Sequence, residues 1–176
     1  DAFDRSNDLK PLSVVTGDII AKNAYEWSKA TESPLAQAAV RGAEKITVRP
    51  LLGHSGKAVK LPKGASLSYD FYCDKSGDAR FTIAAIPCFL NAVKDMRVSV
   101  SIDRGEPVIC QLKEVYNSKD WQFDLWRGQT LKSFYVTLPG GSHNVTIKAL
   151  DDNVMIDQWV LDYDVDREYY VFPVAK

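Results

Sequence analysis

Reactive side chains are scarce in this sequence. Of 176 residues only two are histidine, His54 and His143, and only three are cysteine, Cys73, Cys88 and Cys110. An odd set of thiols leaves at least one unpaired within the chain and room for one disulfide at most. No CxxC pair and no metal-ligand spacing occurs. Cys73 and Cys110 fall in strand-like runs, where a small buried thiol is the ordinary occupant. No G-x-S-x-G elbow marks a serine nucleophile. Each histidine stands beside a glycine turn, which makes both expected exposed turn residues. Net charge is also lacking: at −1 it offers no electrostatic case for nucleic acid or an anionic membrane surface. No apolar run reaches the roughly 20 residues that cross a bilayer. Sustained helical periodicity, internal repeats and low-complexity segments are missing as well.

What remains is a series of short alternating runs. Val145, Ile147 and Ala149 alternate with Asn144, Thr146 and Lys148, the period of a half-buried strand. Asp151-Asp152-Asn153 supplies a tight turn, since Asx side chains tolerate left-handed backbone. From Val154 to Leu161 the chain is apolar on both registers, Met155, Trp159 and Leu161 on one and Val154, Ile156 and Val160 on the other, as in a strand covered on both faces. This segment reads as a closing hairpin and the spine of the fold. Leu67, Tyr69 and Phe71 pair by the same logic with Ala79, Phe81, Ile83 and Ala85 across Asp74-Lys75-Ser76-Gly77. Met96 to Ile102 pairs with Val108 to Leu112 across Asp103-Arg104-Gly105. Shorter strands are expected at 17–21, 46–51, 58–61 and 134–138. Residues 22–45 read as a long loop or a loop carrying one helical turn, of a length that is often functional, and residues 116–128 as a loop with a short helical piece.

Eight or more short strands with regular turn signals predict an all-β fold, an antiparallel β-sandwich or jelly roll. Residues 1–16 read as a lead-in or linker and residues 17–176 as a single sandwich domain, with core enough to need no staples. The chain opens at Asp1 without a methionine, so a leader or a larger protein is expected upstream. Tyr169 to Lys176 reads as a terminus packed on the body.

Candidate sites are few. The acidic residues fall mostly where turns want Asx side chains, and no catalytic residue is assigned. Asp162 to Arg167 imitates a calcium loop, but Arg167 stands at the sixth position where glycine belongs and Pro173 at the twelfth where glutamate belongs. Asp157 lies mid-strand among apolar neighbours, and a buried carboxylate needs a partner: a cationic side chain, backbone N–H groups or a calcium ion. Trp159 reads as core. Tyr25, Trp27, Trp121 and Trp126 sit in polar loop segments. Their flat faces suit either stacking on sugar rings or lidding the ends of the sandwich. Asn144-Val145-Thr146 fits a glycosylation sequon by position in a strand, where such matches arise by chance.

Ordered blocks of the sequence resemble one family. Gly53-His54-Ser55-Gly56-Lys57-Ala58-Val59, Leu67 to Phe71, Ile86-Pro87, Val100 to Asp103, the Trp121 region, Gly141-Ser142-His143 and Ala149 to Asp157 look like successive blocks of the C-terminal domain of glycoside hydrolase family 115. The ending Asp164 to Tyr170 resembles Bacteroidetes members. That resemblance implies a galactose-binding-domain-like sandwich belonging to a secreted, periplasmic or cell-surface α-glucuronidase that acts on glucuronoxylan, with the catalytic residues in an upstream barrel domain. It implies an accessory, non-catalytic chain whose partner is that catalytic domain. In related sugar-binding modules an early Ala-Glu motif and a last-strand Asp hold a structural calcium. Asp157 matches the second position, whereas Ala21 is followed by Lys22-Asn23. An autonomous carbohydrate-binding module using the loop aromatics is the alternative, and a small stand-alone hydrolase a further one.

Overall fold

A computed structural model of the chain describes residues 18–88 and 93–168. The lead-in at 1–16, the terminal run from Tyr169 and the Pro173 position therefore lie outside the described residues. The strands are β1 (Ile19–Asn23), β2 (Lys29–Thr31), β3 (Thr47–Pro50), β4 (Lys57–Leu61), β5 (Ser66–Cys73), β6 (Gly77–Ala85), β7 (Arg97–Ile102), β8 (Val108–Gln111), β9 (Thr130–Leu138), β10 (Gly141–Ala149) and β11 (Val154–Asp162). Among the described residues two helices interrupt them, α1 (Pro34–Gln37) and α2 (Lys119–Arg127). All pairings are antiparallel, in two sheets. Sheet A runs β3-β4-β11-β6-β9, and β1 also pairs with β11; sheet B runs β2-β5-β10-β7-β8. The fold is an antiparallel β-sandwich, as the alternation predicts.

Two of the expected hairpins are corrected. β10 lies in sheet B and β11 in sheet A, so the Asp151-Asp152-Asn153 turn crosses between sheets. β5 and β6 are divided in the same way. Only β7 and β8 form the expected hairpin. The crossing at 150–153 is secured by its own acidic residues: Asp151 accepts from the backbone N–H and the Nε of Arg97 at 2.9 and 2.8 Å, and Asp152 from the backbone N–H of Lys63 at 3.3 Å. Asn153 takes the left-handed backbone with φ 66°, where asparagine is well tolerated.

The inner faces meet around Trp159, which is fully buried. Its ring stacks on Phe81 at 5.2 Å between centroids and meets Tyr69 and Phe71 edge-on at 5.6 and 5.5 Å. Edge-to-face and offset pairs suit the aromatic quadrupole, and truncating such a side chain costs about 3–5 kcal/mol. Val145, Ile147 and Ala149 are buried beside it, as their alternation predicts.

β11 departs from simple alternation. Ile156 pairs with Ala85 and Gln158 with Ala84, so Asp157 is an extra residue, a β-bulge. A bulge reverses the phase of the residues that follow. Val154 and Ile156 therefore share the core face with Trp159 and Leu161, whereas strict alternation places them on opposite faces. Val160 turns outward and packs with Ala84, Ile19, Ala21 and Leu131 in a small second cluster. That cluster is why β11 is covered on both sides.

Candidate functional site

The bulge at Asp157 directs a fully buried carboxylate out of the core. The turn between β3 and β4 closes over it. Asp157 Oδ2 accepts from the backbone N–H of His54 at 2.7 Å and from Gln129 Nε2 at 2.8 Å. Its Oδ1 accepts from the backbone N–H of Ser55 at 3.2 Å and from Ser55 Oγ at 2.5 Å. Charge-assisted bonds of this kind are among the strong ones. Of the partners that a mid-strand carboxylate can take, Asp157 holds two backbone N–H groups, a hydroxyl and an amide. Both of its oxygens face hydrogen-bond donors. Among the described residues no group of three or more His, Cys, Asp or Glu side chains is arranged to hold a metal ion.

From Asp157 a chain of buried amides runs toward β1. Gln129 Nε2 also donates to Gln158 Oε1 at 3.3 Å, Gln158 Nε2 to Asn23 Oδ1 at 3.1 Å, and Asn23 Nδ2 to the Tyr25 hydroxyl at 3.0 Å. Three loops, at 23–25, 53–55 and 128–129, are thereby tied to one end of the sandwich. His54 is exposed, as expected of a turn residue. Its Nε2 lies 3.1 Å from the carbonyl of Arg127, holding the same turn against the end of α2.

α2 is the helical piece expected within 116–128. Its start is marked by Ser118, whose hydroxyl accepts from the Trp121 N–H at 3.1 Å, and its end by Gly128 in the left-handed conformation at φ 76°, an arrangement glycine favours. The helix packs with its polarity reversed. Asp124 is buried and accepts from the Thr130 hydroxyl at 2.9 Å. Burial raises the Asp124 carboxyl above the usual carboxylate range, against the lowering by the Thr130 hydrogen bond. Phe123, Leu125 and Trp126, the residues that ordinarily face a core, are 50, 51 and 86% exposed. Val115 and Tyr116 before the helix are exposed as well.

The structure divides the four aromatic candidates. Tyr25 and Trp27 are half-buried and pack on the core, and Lys57 Nζ stands 5.4 Å from the Tyr25 ring centroid. Trp121 is half-buried against Tyr116, edge-on at 5.0 Å. Trp126 alone of the four presents most of its surface to solvent.

A second constellation was not visible as such in the sequence. His143, expected to be an exposed turn residue, is buried. It shares the inward parity of Val145 and Ile147 on β10, a signal that the neighbouring glycines obscured. Its Nδ1 lies 2.5 Å from Asp103 Oδ2 and its Nε2 2.7 Å from the carbonyl of Pro139. Both ring nitrogens face acceptors, an arrangement that favours the imidazolium. Burial lowers the affinity of His143 for its proton, but the hydrogen bonds to Asp103 and Pro139 outweigh it and raise the pKa. Burial likewise pushes Asp103 up, and the hydrogen bonds from His143 and the Asn144 N–H bring it down below its usual range. Beside this pair an open groove of about 720 Å3 is lined by Lys22, Asp70, Tyr72, Asp103, Ser142 and Asn144.

Comparison with known proteins places this architecture. Residues 17–175 match the model of the glycosyl hydrolase family 115 C-terminal domain. Among solved structures the chain is similar to BtGH115A, described as a family GH115 4-O-methyl-α-glucuronidase with specificity for decorated arabinogalactans. The identity is 26% and the TM-score 0.60, over 77% of this chain and 17% of that one. The fold also matches the C-terminal family 6 carbohydrate-binding module of LamC from Zobellia galactanivorans (16% identity, TM-score 0.54, 82% of this chain and 99% of that one). It matches a family 35 carbohydrate-binding module from Clostridium thermocellum too (13%, TM-score 0.57, 81% and 97%). A comparison with curated proteins gave no match. The match spans most of this chain and about a sixth of BtGH115A, and the chain belongs to the glycosyl hydrolase family 115 C-terminal domain family.

Proposed function

We propose that the chain is the non-catalytic accessory domain of a larger secreted glycoside hydrolase acting on glucuronoxylan, and that it docks on the preceding catalytic part of that enzyme through the outer face of α2. One observation carries the reading: α2 buries Asp124 and exposes Phe123, Leu125 and Trp126. An apolar surface of this kind marks an interaction site rather than ordinary solvent-facing helix. Family membership and the small share of BtGH115A that the chain matches support a preceding part of the same enzyme as the occupant. Anchoring aromatics at the centre of such a contact carry much of its energy.

The test compares one double substitution, Phe123→Ser with Trp126→Ser, in two settings. In the 176-residue chain it leaves the melting temperature within a few degrees, since both side chains face solvent. In the full-length enzyme it loosens the domain, read as faster proteolytic release and greater interdomain distance in solution scattering. An unchanged full-length enzyme would reject docking through α2.

The exposure of Trp126 also favours a second reading, a carbohydrate-binding module with this indole as its platform. Affinity electrophoresis on glucuronoxylan and on arabinogalactan separates the two. Retardation that disappears with Trp126→Ala supports sugar binding at α2, and migration unaffected by either polysaccharide removes it.

A further inference from the structure

The groove beside His143 and Asp103 is lined by β5 and β10 of sheet B and by Lys22 of β1 in sheet A, and uses none of the α2 residues. Its floor is set by strand register. β5 and β10 place Tyr72 opposite Ser142 and Asp70 opposite Asn144, all on the outward parity. The polar groups are fixed by one another: Asn144 Nδ2 donates to Asp70 Oδ1 at 2.9 Å, and the Asn144 backbone N–H donates to Asp103 Oδ1 at 2.9 Å. His143 then holds the other Asp103 oxygen. Groups locked before a ligand arrives lose little freedom on binding it.

Two features have no structural employment among the described residues. The Tyr72 ring is 63% exposed on a strand whose inward neighbours are fully packed. Lys22, also in the groove, forms no ion pair with any carboxylate among the described residues. A flat phenol ring bordered by carboxylate and amide oxygens suits a ligand with an apolar face and many hydroxyl donors, which is the surface of a pyranose. Asp70 and Asp103 disfavour a phosphate-rich ligand, whose charges they would repel. Lys22 suits a single carboxylate on that ring.

We propose that this groove binds a pyranoside bearing a carboxylate. The C–H face of the sugar lies on Tyr72. Its hydroxyls donate to the Asp70 carboxylate and exchange hydrogen bonds with Ser142 and Asn144. Its carboxylate pairs with the Lys22 ammonium. The proposal stands apart from docking through α2, and either can fail without the other.

The test is a titration of the isotopically labelled 176-residue chain, followed by amide shifts, with methyl β-D-glucuronide and methyl β-D-glucoside. These probes share a ring and differ in charge at C6. The glucuronide is expected to shift the amides of residues 70–72 and 142–144, with affinity on the order of millimolar for so small a ligand. Tyr72→Ala is expected to weaken it by about tenfold or more, and the same spectrum reports that the variant is folded. Lys22→Gln is expected to reduce the glucuronide to the affinity of the glucoside. Trp126→Ala is expected to change neither. Absence of shifts at 70–72 and 142–144 would overturn the proposal, as would binding that survives Tyr72→Ala or depends on Trp126. Equal affinity for the two probes in the unsubstituted chain would overturn the role of Lys22.

Discussion

Gly53 and Asp157 are in such close approach that a Cβ on the glycine would stand 2.4 Å from the carboxyl carbon of the aspartate. Gly53 also has φ 75°. The turn that delivers the N–H groups of His54 and Ser55 thus depends on the absence of a side chain one residue earlier.

Gly53→Ala is expected to cost at least about 2 kcal/mol, from left-handed strain and from overpacking of a side chain that cannot retreat. Chemical denaturation measures it. A loss below half of that would mean that the turn can lift away without consequence.

Asp157→Asn is expected to destabilise despite its matching shape, because an amide N–H2 replaces an oxygen that faces donors. The cost is about 1–3 kcal/mol, and Asp157→Ala costs more because it removes the acceptor of the His54 and Ser55 N–H groups and of one Gln129 amide hydrogen. Both oxygens are occupied by donors, so a chelator is expected to leave the melting temperature unchanged. A chelator-induced drop that Asp157→Ala abolishes would instead place a cation at the bulge.

The His143–Asp103 pair makes stability depend on pH at both limits. His143 has a raised pKa, so its contribution is complete below its ordinary value of 6.5 and is lost as pH rises through the folded value. Asp103 has a lowered pKa, so its contribution is complete above 3.8 and is lost as pH falls through the folded value. Between those ordinary values both contributions are whole. Melting curves from pH 3 to 9 should therefore show a plateau that His143→Gln flattens most on the alkaline side. An identical profile in the variant would remove the charged pair from the account.

Asp124 works in the other direction. Its folded pKa is raised, chiefly by burial, so its charged form at neutral pH opposes folding. Asp124→Asn keeps an acceptor for Thr130 and is expected to raise the melting temperature at pH 7. The advantage should vanish as pH falls below the ordinary carboxylate range. Destabilisation at pH 7 would show that the ionised form is the one the helix requires.

Cys73, Cys88 and Cys110 carry free thiols. Cys73 and Cys110 are buried and burial pushes both thiols up, which lowers the reactive thiolate fraction. A thiol reagent should modify Cys88 first in the native chain, with the other two requiring unfolding. Three equally fast reactions would contradict the packing of β5 and β8.

Most strands were legible because period-two alternation is a local property: β10 and the β7–β8 hairpin stand where the residues put them, whereas β2, three residues inside the 22–45 loop, is too short to alternate. Allocation to sheets was not, since a turn such as Asp151-Asp152-Asn153 can return a strand to its own sheet or send it across to the other. Asp157 was conspicuous as a carboxylate among apolar residues, but the bulge that exposes it to the 53–55 turn depends on β6, more than 70 positions earlier. Trp159 was plain as core. Trp121 and Trp126 looked alike in sequence, and only the seating of α2 on Asp124 separates the half-buried ring from the exposed one. Tyr72 has the outward parity of Ser68 and Asp70 on β5, yet nothing local joins it to Asn144 or Lys22.

β11 is central in sheet A, with β6 on one flank and β4 and β1 on the other, and it is the last strand among the described residues. Asn23 waits for Gln158 across 135 positions. During synthesis β1, β4 and β6 therefore emerge before their common neighbour: β3 can pair with β4 and β6 with β9, but these pieces join into one sheet only once β11 has emerged. Truncation just before Val154 would leave β1, β4 and β6 without the strand that joins them, and refolding of the full chain should be slow for its size.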